Sequence, residues 1–305
     1  MSSAPVATSQ PDPGSNLTGI VWMVVAMAAF AVEDAFIKSA TKQLPVAEVL
    51  ILFGAGGAIL FAGLARRSGS GLLPVQALTR VMLVRAVFEL VGRLFYVLAI
   101  ALTPLSSATA ILQATPIIVV LGATAFFGES VGWRRWCAIL AGLIGVLIIL
   151  RPAAGDFSAL SLLAVVGTLG FAGRDLASRA APRSLSTWLL GLYGFLTVVV
   201  AGVLYAVWEG RAFIWPTAAH GLSVAGAVVT GVFAYAALMK AMRTGSISAV
   251  TPFRYTRLLF GIGLGALVFG ERPDGLMLLG CAVVIGSGLF IWREGQVVAT
   301  ARNKT

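Results

Sequence analysis

Phe126-Phe127-Gly128-Glu129 and Phe269-Gly270-Glu271 decide the fold of this 305-residue chain, because one short signature closes two apolar stretches far apart in sequence. Arg151 stands twenty-two residues after Glu129, and Arg293 stands twenty-two residues after Glu271. The shift from Glu129 to Glu271 is 142 residues. A second match, Phe30-Ala31 with Asp34 and Lys38 against Phe171-Ala172 with Asp175 and Arg179, recurs at a shift of 141 from Asp34 to Asp175. Two matches at nearly one shift, each on an equivalent stretch, read as an internal duplication.

The chain around these signatures is 59% hydrophobic and 11% charged, whereas a soluble domain carries about 25% charged residues. Crossing about 30 Å of hydrocarbon takes roughly 20 apolar helical residues. Breaking the chain at charged and Pro/Gly clusters yields ten such stretches: 17–37, 46–65, 81–102, 105–127, 133–150, 158–178, 186–207, 221–242, 247–269 and 275–292. The expected fold is all-α integral membrane, with ten transmembrane helices in two inverted five-helix repeats. Inversion follows because five is odd, so the second copy enters the membrane from the opposite side. The division is a disordered tail over 1–16, repeats over 17–152 and 153–293, and a second tail over 294–305. The first tail lacks Lys and Arg and precedes a long apolar stretch, which reads as a retained helix and not a cleaved signal.

An even number of spans puts both termini on one side. That side receives twelve of the 22 Lys and Arg residues, among them Arg66, Arg67, Arg134, Arg135, Arg179 and Arg183; the other side receives five. The excess predicts cytoplasmic termini in a bacterial inner membrane. The net charge of +10 is spread between apolar runs and not gathered on a soluble face, so the expected partner is the lipid bilayer and not nucleic acid. Cys137 and Cys281 lie inside apolar stretches without zinc or disulfide spacing and read as small core residues. No metal, cofactor or catalytic residue is expected, and the absence of a Walker motif argues against a primary pump.

Inverted repeats are the architecture of alternating-access carriers, whose substrate seat lies near the midplane between the halves. Charged groups inside spans mark that seat, since each costs roughly 2.5–3.5 kcal/mol at mid-bilayer and therefore faces the bundle interior or a wet cavity. In the third span Arg85, Glu89, Arg93 and Tyr96 share one helical face. In the ninth, Arg254 and Arg257 share a face with Gly261. Glu89, Arg93, Arg254 and Arg257 fall near mid-membrane, while Arg85 is placed to snorkel. Three deep arginines against Glu89 leave positive charge over, which an anion would neutralise; the guanidinium fork fits the carboxylate of an amino acid. Pro116 and Pro252 free carbonyls near Leu112 and Ser248 for an ammonium group. Gln113, Tyr96 and Tyr255 complete the expected substrate-binding set. Glu33 and Asp34 near one end of the first span, with Arg174 and Asp175 near the opposite end of the sixth, are expected to be gates. Glu89 is also a candidate carrier of a coupling proton, which its arginine neighbours oppose.

The spacing from Lys38 to Pro45, Thr115-Pro116 in the fourth span and the two Gly-Glu pairs together resemble the drug/metabolite transporter superfamily, specifically its EamA family of ten-helix members. The resemblance covers residues 17 to 293 and is greatest to the YddG-type amino-acid exporters. It implies an inner-membrane exporter with a central cavity, carrying amino acids or related metabolites with a carboxylate. The chain departs from the family pattern at Leu50-Ile51-Leu52-Phe53, where an Arg is frequent, and at Arg257-Leu258, where a Pro is common. A carrier of organophosphates or nucleotide sugars is the alternative. A membrane enzyme is disfavoured, because no nucleophile-and-base pair and no His cluster is present.

Overall fold

The computed structural model describes residues 13–69, 71–72, 79–127, 132–150, 158–179, 185–244 and 250–302. Among them the chain forms eleven α-helices, one 3-10 turn and no strand: α1 (Pro13–Thr41), α2 (Val46–Arg67), α3 (Arg80–Leu102), α4 (Leu105–Leu112), α5 (Thr115–Phe127), α6 (Trp133–Leu150), α7 (Ser161–Arg179), α8 (Thr187–Glu209), α9 (Ala218–Thr244), the turn Thr251–Tyr255, α10 (Thr256–Phe269) and α11 (Gly275–Arg302). With α4 and α5 as one span, and the turn and α10 as another, these make ten transmembrane spans. Six helical stretches are long and apolar enough to cross a membrane by themselves: 17–41, 46–67, 105–126, 187–209, 218–242 and 275–293. The rest are short or carry charges that neighbouring helices cover.

The termini share one side, called here the terminal face; the opposite side is the far face. Helix α1 already begins at Pro13, inside the expected tail, and α11 runs on to Arg302, so most of the second expected tail is helix. Side chains close several ends: Thr79 accepts from the Met82 N–H, Ser186 from Leu189 and Asp274 from Met277.

The helix contacts carry the duplication. Helix α1, the first span, packs on α9, the eighth; α3, the third, packs on α7, the sixth, which is the same pairing seen from the other repeat. The second span packs on the seventh (α2 with α8), the fourth on the ninth (α4 with α10) and the fifth on the tenth (α6 with α11), each helix against its own repeat mate. Small residues permit the approach. A side chain at Gly170 of α7 would run into the backbone of Gly92 on α3, and one at Gly167 would come within 2.9 Å of the Tyr96 backbone nitrogen. Without a hydrophobic force between helices in lipid, such close backbone contact supplies the association. Outside, Ile59, Leu83, Leu222, Leu259 and Leu267 are exposed, as a lipid-facing surface requires. Cys137 is exposed on α6, which corrects its expected core position, whereas Cys281 is buried.

The fourth span divides into α4 and α5 where Pro116 is expected to break the helix. Pro116 has no N–H to offer the Leu112 carbonyl, so the chain tightens: Gln113 N bonds Ala110 O and Ala114 N bonds Ile111 O before α5 begins. Its mate, the ninth span, enters through the 3-10 turn that contains Pro252. The two irregular segments are joined, as Gln113 Nε2 donates to the Arg254 carbonyl at 3.2 Å. Paired discontinuities in corresponding spans of inverted repeats point to where a carrier holds its cargo.

Candidate functional site

Polar contacts between the repeats form three levels across the membrane. Nearest the far face, Lys38 of α1 donates to the Ile100 carbonyl at 3.0 Å and the Thr103 carbonyl at 2.6 Å, at the C-terminal end of α3. Its ammonium also stands 3.7 Å from Glu271. Glu271 in turn accepts from the backbone N–H groups of Leu105 at 2.6 Å and Ser106 at 2.9 Å, capping α4. Here the Phe-Gly-Glu signature shows its physical meaning. Gly270 has φ +67° and Glu271 N bonds Gly265 O, so a left-handed glycine ends α10 and turns the next carboxylate onto the first turn of its mate helix. The equivalent Gly128-Glu129 lies outside the described residues.

At mid-membrane Arg93 Nη1 binds Glu33 Oε1 at 2.8 Å, and Arg257 Nη2 binds Asp34 Oδ2 at 2.6 Å. The Tyr96 hydroxyl donates to the same Asp34 oxygen at 3.1 Å. Both acids are fully buried on α1. Glu33 fits because α9 presents Gly231, where a Cβ would lie 3.1 Å from the Glu33 carboxyl carbon. Gly231 is the repeat equivalent of Glu89, so one copy carries an acid where the other leaves room for one. Arg93 lies over the Phe53 ring at 5.3 Å, and Arg257 over the rings of Phe30 at 5.0 Å and Tyr96 at 5.7 Å.

Toward the terminal face Glu89 is held between Arg174 at 3.2 Å and Arg85 at 3.5 Å. Arg174 also grips Asp175 through Nε at 3.0 Å and Nη2 at 2.9 Å. Arg85 is buried and donates from Nε to Ser178 Oγ at 3.0 Å, so it does not snorkel as expected; a partner on the next helix holds it inside.

These contacts correct the expected charge balance. Glu33 and Asp34, expected as gates near a span end, are buried and neutralise Arg93 and Arg257. Counting the buried level and the one below it, Arg85, Arg93, Arg174, Arg254 and Arg257 face Glu33, Asp34, Glu89 and Asp175, and one positive charge is left over. It belongs to Arg254, whose guanidinium has no carboxylate partner among the described residues. The Leu112 carbonyl is not free either, because Thr115 Oγ1 donates to it at 2.6 Å; Ser248 lies outside the described residues. Gln113 reaches the Arg254 backbone and Tyr255 packs its hydroxyl on Gly288 of α11, so neither hydrogen bonds to the charged cluster.

Arg174 spends its fork on two carboxylates, but Arg93 and Arg257 each hold one carboxylate through a single terminal nitrogen. Among the described residues their Nε atoms, like Asp34 Oδ1, are buried without a hydrogen-bond partner. Buried polar groups left bare are costly. Among the described residues no three His, Cys, Asp or Glu stand together for a metal. Two apolar grooves of about 400 Å3, one beside Pro216 and Val224 and one beside Trp22 and Lys240, do not include the residues of the cluster.

Comparison with known proteins bears on this geometry. Residues 17–151 and 159–293 each match the EamA-like transporter family. A riboflavin transporter of Rhizobium johnstonii is 30% identical over 93% of this chain and 93% of its own. The pseudopaline exporter of Pseudomonas aeruginosa is 30% identical over 88% of this chain and 93% of its own. An S-adenosylmethionine uptake transporter of Rickettsia conorii is 23% identical over 90% and 92%. One crystal structure, 19% identical, superposes with a TM-score of 0.60 over 91% of this chain and 97% of its own, a likeness of fold.

Proposed function

The chain belongs to the EamA-like transporter family, and on that premise we propose that it is a secondary transporter exporting a small metabolite with a carboxylate, amino acids being the first class to test. The seat lies among Arg93, Tyr96, Arg254 and Arg257 and reaches to Glu89 on the level below, and the protein works in a bacterial inner membrane with both termini in the cytoplasm. The observation that carries this reading is the half-used pair of guanidiniums at the midplane. Arg93 and Arg257 each retain a bare Nε beside an occupied terminal nitrogen, and a carboxylate guest takes such an edge bidentately.

In this scheme Glu33, Asp34, Arg174 and Asp175 are moving partners. They bind arginines when the seat is empty and exchange them as the halves rock, so no charge crosses the bilayer unpaired. Gln113 and Tyr255 act one layer out, by fixing the broken segments of the fourth and ninth spans.

A second reading is flavin transport. It is favoured by two relatives bearing that name, from Rhizobium johnstonii and Vibrio cholerae, and by the aromatic run Phe53, Phe195, Phe61 and Tyr235 beside Arg93. Proteoliposomes loaded in turn with labelled neutral amino acids, riboflavin, S-adenosylmethionine and a phosphate ester, with and without a pH gradient, separate the readings. Efflux of amino acids supports the first; efflux of riboflavin alone selects the second, and exchange confined to phosphate esters defeats both.

A further inference from the structure

We propose that the Asp34–Arg257 pair is a selectivity element for zwitterions, into which a guest's carboxylate and cationic group insert together. The inference rests on the carboxylate reading above and adds what the rest of the guest must carry.

The argument begins with two bare atoms in one ion pair. Arg257 Nη2 and Asp34 Oδ2 meet at 2.6 Å, while Arg257 Nε and Asp34 Oδ1 have no hydrogen-bond partner among the described residues. One buried donor and one buried acceptor are thus unfilled within a single ion pair between α1 and α10. An amino acid offers the complement, with carboxylate oxygens for Nε and ammonium protons for Oδ1.

The surroundings restrict other solutions. Arg257 has the rings of Phe30 and Tyr96 near its guanidinium, at 5.0 and 5.7 Å, which leaves its in-plane edge for hydrogen bonding. Asp34 is fully buried, and the Tyr96 hydroxyl also donates to its Oδ2. The adjacent Glu33 is committed to Arg93. A guest carrying only a carboxylate would take Arg257 and leave Asp34 ionised without a counter-ion in a water-poor site; a purely cationic guest would strand Arg257. Breaking a buried pair by removing one partner is strongly unfavourable. A zwitterion replaces one ion pair by two and leaves neither residue unpaired. Discrimination comes from the group that would be stranded, as in other sites whose buried polar groups must be matched.

The test uses three solutes of nearly one shape: L-phenylalanine, 3-phenylpropionate, which lacks the amine, and L-phenylalaninamide, which lacks the carboxylate. Full-length protein in proteoliposomes is assayed for each as a competitor of labelled L-phenylalanine efflux, and purified protein for thermal stabilisation by each. The wild type should prefer phenylalanine over both analogues by about tenfold or more, the factor that 1.4 kcal/mol corresponds to. Asp34→Asn should bring 3-phenylpropionate level with phenylalanine, Arg257→Gln should favour phenylalaninamide, and Asp34→Glu, which keeps the charge, should retain the wild-type order. Equal recognition of phenylalanine and 3-phenylpropionate by the wild type overturns the proposal even if a variant fails to fold. So does an unchanged order in folded Asp34→Asn. If amino acids are carried but the order does not respond to Asp34, this inference alone falls; if none of the three is recognised, it falls together with the amino-acid reading.

Discussion

Glu271, at the end of the ninth span, caps the fourth span through the N–H groups of Leu105 and Ser106 and stands 3.7 Å from Lys38 of the first. Lys38 itself closes the C-terminal end of α3 through Ile100 and Thr103. One acid and one base therefore tie the ends of three helices of the first repeat to the second repeat at the far face. Both helix termini gain the sign of charge that their dipoles favour.

Replacing Glu271 with Ala removes the cap and leaves the buried Lys38 without its counter-ion. The expected loss is about 3–5 kcal/mol, read as a lowered unfolding temperature of the detergent-purified protein. Glu271→Gln, which keeps an acceptor for one N–H, should lose less. Equal stability of Glu271→Ala and wild type would show that the contact carries no weight.

Arg257→Ala strands the fully buried Asp34 and should reduce folded protein as well as transport, by about 3–5 kcal/mol of stability. The double variant Asp34→Asn with Arg257→Met should recover folding without recovering transport. Arg254→Ala has no carboxylate to strand among the described residues, so expression should be kept and transport lost. Quantifying folded protein by fluorescence-detected size exclusion beside efflux separates these outcomes.

Tyr255 packs its hydroxyl against Gly288, without a hydrogen-bond partner among the described residues. Tyr255→Phe removes an unsatisfied buried group and should be neutral or stabilising by about 1–3 kcal/mol, with transport unchanged. Gly288→Ala should destabilise by crowding the phenol, and adding Tyr255→Phe should restore part of the loss. A transport defect in Tyr255→Phe would instead place the hydroxyl at the cargo.

Gly170→Ala drives a methyl into the Gly92 backbone, which cannot rotate away, and should cost about 1–3 kcal/mol. Gly263 of α10 has nothing within 4 Å of a Cβ, so Gly263→Ala should be neutral or gain up to about 1 kcal/mol of helix propensity. Thermal melts of the two variants side by side check the contrast.

Much of the architecture is legible in one dimension. Hydropathy marks the spans because lipid imposes a length and a composition on anything that crosses it. The Gly-Glu repeats expose the duplication because they are short signatures of adjacent residues, and at Gly270-Glu271 the pair writes a left-handed turn and a capping acid. Charges inside α3 and the ninth span point to the midplane for the same reason: their cost depends on depth, and depth follows from position in the span.

Pairing is a different kind of property. Asp34 and Arg257 are 223 positions apart, and whether they meet depends on how α1 and α10 are rotated and where they cross. The gap that admits Glu33 is made by Gly231, on a helix with no charge there to draw notice. Sequence thus determined ten spans, their duplication and the helices that carry buried charge, because membrane depth and helix capping act on neighbouring residues. Tertiary structure alone decided which arginine holds which acid, and that two of them hold it through a single terminal nitrogen, because a charge is neutralised by proximity in space.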